Sequence, residues 1–113
     1  MRMHSVTGLS LLLAAALLEA AGDALVRLGI RTSVGFARPL VLGAGALVLL
    51  AYGCIVNAAP WDFGRLIGLY IVFFFLVAQA IAWLMFGEVP SRGVWLGGAL
   101  IVLGGAIISM STS

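Results

Sequence analysis

The chain has 113 residues, 64% of them hydrophobic and 9% charged, with a mean hydropathy of +1.25. A soluble domain carries about 25% charged residues, so this composition excludes a water-covered globule and points to a single-domain integral membrane protein. The net charge of +2, from six arginines and no lysine against four acids, is too small and too scattered for a nucleic-acid partner.

Four apolar segments follow one another, at about residues 6–28, 39–59, 64–86 and 93–110. Each is close to the roughly 20 residues that carry a helix across the hydrocarbon. Backbone groups in lipid must bond within their own segment, and barrel strands would be about half as long, so the segments are predicted helices. Arg2, the stretch Leu9–Leu18 and Ala20–Ala21 also have the outline of a signal peptide. Asp23 and Arg27 continue the helical pattern, however, and a retained span is the expectation. The predicted fold is all-α, with four transmembrane helices in one domain over residues 1–113. So small a unit buries little interior, which predicts assembly as a dimer in the cell's inner (plasma) membrane.

The first segment holds the most informative residue, Glu19, in a run that is otherwise uncharged from Ser5 to Gly22. A carboxylate at that depth is costly, and such residues commonly bind a cation or carry a proton. Asp23 and Arg27 follow at i+4 and i+8, so the three share one helix face. Asp23 and Arg27 can pair. Glu19 has no basic partner on its own helix, and a pair with Arg65 across helices is the structural alternative to a functional role. Gly22 leaves room for a neighbouring helix or a ligand.

The second segment, uncharged, has a small-residue face at Gly43, Gly45 and Gly53, with Tyr52 and Asn57 as its strong hydrogen-bonding side chains. Asn57 falls near the helix end, where a capping role is expected. In the third segment Arg65, Gly68, Val72 and Gln79 make a loose stripe. Arg65 could bond Asp62, reach the first-helix acids, bind an anionic headgroup or snorkel to the interface. Tyr70 could wall a cation site with its ring or serve packing. In the fourth segment Gly97-Gly98 and Gly104-Gly105 repeat two turns apart. Small residues let helices approach closely in lipid, which predicts a dimer seam there, with packing inside the same bundle as the alternative.

The connections 29–38, 58–64 and 87–92 are short and rich in turn formers. They predict that consecutive helices are antiparallel neighbours. Trp61, Trp83 and Trp95 fall near helix ends, as interfacial rings do. Arg27, Arg31, Arg38 and Arg92 outnumber Arg2 and Arg65 on the opposite side, which weakly favours cytoplasmic first and third connections. One histidine and one cysteine, His4 and Cys54, cannot make a metal cluster or an internal disulfide. No phosphate-binding loop or nucleophile–base arrangement is present, so neither an enzyme nor a cofactor is expected.

With these residues in view, the chain resembles the small multidrug resistance family of the drug/metabolite transporter superfamily. The resemblance covers nearly the whole chain and is best over Leu17–Arg27 (LLEAAGDALVR), with its membrane glutamate, a glycine three residues on and a basic residue eight on. Phe86-Gly87-Glu88 resembles the family's third connection, and Gly97 and Gly104 sit where its dimer-forming glycines do. The resemblance implies an antiparallel homodimer, or pairing with a paralogous subunit. It also implies a central site where protons and a small cationic substrate compete at Glu19, with no cofactor and no nucleic acid. The chain departs from the family at Tyr70, where the drug exporters carry tryptophan, at bulky Val72–Phe75, and at the extra acid Asp23. Gly22 stands where the guanidinium exporters carry tryptophan, which disfavours guanidinium. Phe63-Gly64-Arg65 resembles a related small four-helix family of unsettled function, and Glu88–Ile108 resembles the paired subunits that flip lipid-linked sugars. The functional expectation is a proton-coupled exporter of small organic cations. The alternatives are a subunit of a lipid-linked sugar or phospholipid flippase, with Arg65 on a phosphate, and a non-transporting scaffold subunit.

Overall fold

A computed structural model describes residues 2–110, with side chains from Val6 onward. The side chains of Arg2 and His4 lie outside the described residues. Four helices follow in order: α1 (Arg2–Arg31), α2 (Ala37–Val56), α3 (Phe63–Phe86) and α4 (Arg92–Met110). All four contain stretches long and apolar enough to cross a membrane.

Local chemistry sets the ends. α1 runs on through the first basic cluster to Arg31, where the Arg38 guanidinium donates to the carbonyls of Ile30 (3.1 Å) and Ser33 (3.2 Å). A cation is well placed at a helix C-terminus, whose last carbonyls lack intrahelical partners. α2 stops at Val56, short of the Ala59 predicted from hydropathy. The Asn57 amide donates to the Gly53 carbonyl at 2.9 Å, Ala58 and Ala59 tighten into i→i−3 bonds, and Pro60 has no N–H to continue. α3 ends at Gly87, whose φ of 66° is the left-handed conformation that glycine adopts freely. Ser91 caps α4, its hydroxyl accepting from the Val94 N–H at 3.3 Å.

The helices pack in the spatial order α2–α1–α3–α4. The expectation that every pair of consecutive helices would be neighbours therefore fails for α2 and α3, because α1 takes the place between them. α2 and α3 still touch through Tyr52 and Tyr70, whose ring centroids are 5.5 Å apart. α1 and α2 come closest at Gly22 and Gly45: a Cβ at Gly45 would stand 3.1 Å from the Gly22 carbonyl oxygen. Glycine suits this close approach, because a Cβ at either position would push the facing backbone back by a few tenths of an ångström.

The core lies in the first half of α1 and of α3. Leu12, Ala15, Ala16, Val56, Ala59, Leu66, Leu69 and Tyr70 are buried together. Trp61 folds its ring onto Gly8 and is half-buried, whereas Trp83 and Trp95 are exposed near helix ends.

The α3 stripe seen in the sequence is the seam for α4. Arg65 donates to the Ser109 carbonyl at 3.0 Å, Gly68 receives Ile108, and Val72 packs into Gly105. Phe75 packs into Gly98 in the same way. The fourth-helix glycines thus split into two classes. Gly98 and Gly105 are consumed by packing within the chain, while nothing lies within 4 Å of the Cβ positions of Gly97 and Gly104. The predicted four-glycine seam is reduced to the outward pair, Gly97 and Gly104.

Candidate functional site

Glu19 is half-buried, two turns past the tight core at Leu12. Its partner is a neutral hydroxyl, not an arginine: the Tyr70 O–H donates to Glu19 Oε1 at 2.5 Å. Hydrogen bonds to ionised acceptors are short and strong. The Tyr70 hydroxyl also lies 3.4 Å from the Ala15 carbonyl oxygen, one turn back on α1. Tyr70 is 4% exposed and held between Tyr52 and Phe74, with centroid separations of 5.5 and 6.0 Å. Its ring packs and its hydroxyl positions Glu19, a role the sequence reading had not assigned it.

This arrangement accommodates both protonation states. A hydroxyl is one donor and two acceptors. With Glu19 ionised, Tyr70 donates to the carboxylate. With Glu19 protonated, the carboxyl can donate to Tyr70, and the tyrosine proton can turn to the Ala15 carbonyl. Neither the Glu19 carboxyl nor the Tyr70 hydroxyl is stranded in either state, so the cost of an unsatisfied group is avoided at this pair.

From Ala20 onward, beside Glu19, α1 and α3 part around a cavity of about 250 Å³. Its apolar walls are Ala20 and Ala24 from α1 and Ala78 and Ala82 from α3, with Phe74 and Phe86 as aromatic walls. These alanine pairs, each at i, i+4, face one another, and their short side chains leave the space open. Asp23, Arg27 and Glu88 also line it. Glu19 does not.

The expected Asp23–Arg27 pair is not made. Arg27 turns instead to Glu88, with its Nη2 3.9 Å from Oε2, and its guanidinium carbon lies 5.3 Å from the centre of the Phe86 ring. Among the described residues this is the only ion pair within 4 Å. Arg65 is likewise absent from the acidic site; its Nη2 donates to the Ser109 carbonyl of α4, and its buried Nε has no partner among the described residues. The glycine turn after α3 carries Glu88 to Arg27. Glu88 lies in a stretch already notable in the sequence, but its partner could not be read there, because the two are distant along the chain.

A second cavity, of about 410 Å³, lies between α3 and α4. Phe75, Leu76, Pro90, Trp95 and Val102 make it almost wholly apolar, and Gln79 is its main polar side chain. Among the described residues, no group of three or more His, Cys, Asp or Glu is placed to hold a metal ion.

The chain is 34% identical over 100 residues to UPF0060 membrane protein YfjF of Bacillus subtilis (strain 168). The match spans 87% of this chain and 88% of the relative. The chain belongs to the UPF0060 family of membrane proteins. It is a multi-pass membrane protein with four helices able to span the bilayer. No protein-family model matches it, and no solved structure does.

Proposed function

We propose that this UPF0060 member is a proton-coupled transporter that exports small cationic organic compounds across the inner membrane and works as a dimer of antiparallel copies or with a paralogous subunit. The observation that carries the reading is the 2.5 Å Tyr70–Glu19 bond in an apolar span. The acid is held in place by a partner that serves it with or without its proton, and a cavity begins at the next residue, Ala20. An acid locked to arginine would be committed to its charged form; this one is not. The similarity of Leu17–Arg27 to the first helix of the small multidrug resistance family supports the same reading, as do the open glycines Gly97 and Gly104 as a dimer seam.

Coupling follows from competition between a proton and cargo. Glu19 takes a proton as cargo leaves and yields it as cargo binds, and alternating access moves the occupied site between faces. In liposomes with an imposed pH gradient, Glu19→Gln is expected to abolish proton-driven uptake of organic cations without unfolding the protein. Full transport by that variant would refute the proposal. The flippase reading, in which Arg65 receives a phosphate, is less well supported because Arg65 donates to the Ser109 carbonyl at the end of α4 and lines neither cavity, although its buried Nε has no partner among the described residues.

A further inference from the structure

We propose that two carboxylates divide the work: Asp23 holds the positive charge of the cargo inside the α1/α3 cavity, while Glu19, outside it, carries the proton. The inference rests on the exporter reading above and departs from a single shared acid.

Three observations lead to it. Glu19 is absent from the cavity lining, and its Oε1 is engaged by Tyr70. Asp23 lines the cavity, and its carboxylate makes no hydrogen bond or ion pair among the described residues. Its natural helical partner, Arg27, stands one turn on but is drawn away by Glu88 at 3.9 Å and by the Phe86 ring at 5.3 Å. A carboxylate and an arginine at i, i+4 ordinarily attract. Diverting the arginine leaves Asp23 uncompensated beside Phe74 and Phe86, a setting in which aromatic faces and one negative charge favour an organic cation. Glu88 is then a positioning residue. It keeps Arg27 off the site, and the exposed pair it makes is weak enough to break and re-form during a transport cycle.

Binding of benzyltrimethylammonium to the purified full-length protein, with simultaneous measurement of proton release, tests the division. Asp23→Asn is expected to weaken binding roughly tenfold or more, and Asp23→Glu to restore most of it. Glu19→Gln is expected to keep binding within about threefold while proton release on binding disappears. Glu88→Gln is expected to weaken binding by roughly threefold to tenfold, because Arg27 falls back on Asp23. Adding Arg27→Gln to Glu88→Gln should recover it, a rescue that simple loss of structure would not give. Loss of binding in Glu19→Gln together with unchanged binding in Asp23→Asn would overturn the division and leave a one-acid exporter standing. Failure of the unaltered protein to bind the probe would overturn both readings.

Discussion

α3 is zipped to its neighbours at one end and parted from them at the other. In its first half, Leu66, Leu69 and Tyr70 close against Leu12, Ala15 and Ala16 of α1, while Arg65, Gly68 and Val72 engage Ser109, Ile108 and Gly105 of α4. In its second half, cavities of about 250 and 410 Å³ open on its α1 and α4 sides. The difference follows from residue size and chemistry. At the closed end, large side chains meet glycine or alanine, and a tyrosine and an arginine satisfy polar atoms of other helices. At the open end, alanine faces alanine on the α1 side, where Asp23, Arg27 and Glu88 line the gap, whereas on the α4 side Phe75 still fills Gly98 and large apolar residues border the cavity. The unequal ends would suit the transporter proposed above, which would present a site to one side of a membrane at a time.

The sharpest way to break this comparison is to exchange the character of the ends. Leu12→Ala at the closed end is expected to cost about 3 kcal/mol by detergent unfolding, mostly from lost packing, because lipid reduces the transfer contribution. Ala82→Leu at the open end fills existing space and should cost no more than about 0.5 kcal/mol. Equal penalties would erase the distinction. Next in size, Gly105→Leu drives a side chain into Val72 and should cost about 2 kcal/mol. Gly104→Ala adds a Cβ that meets nothing within 4 Å and should leave unfolding unchanged, with any effect confined to self-association measured by crosslinking. Tyr70→Phe removes the donor to Glu19 found among the described residues and should cost about 1–2 kcal/mol in the same unfolding assay.

Much of the architecture was legible in the sequence, because hydropathy and length are local properties. The four spans, the membrane acid and the close-approach glycine at Gly22 needed no long-range information. The order of the helices did: short connections say which helices follow one another, not which one slides between two others. The split of the glycine pairs was hidden for a related reason. Gly97 and Gly98 are adjacent and chemically identical, and only the placement of Phe75 distinguishes them. The links Tyr70–Glu19 and Arg27–Glu88 join residues distant in the chain, so the sequence could name the residues and not the pairing. Arg65 was read as free to choose among partners because no pattern in the sequence marks a distant helix carbonyl as an acceptor.

The spatial order α2–α1–α3–α4 has one more consequence, seen in the dimensions of 51 × 34 × 19 Å. A slab 19 Å thick is at most about two helices deep, with α1, α2 and α3 clustered and α4 standing at one edge against α3 alone. Any wet route past Glu19 is therefore a gutter open along its flank, and hydrocarbon tails would spill into it unless another body in the bilayer supplied the missing wall.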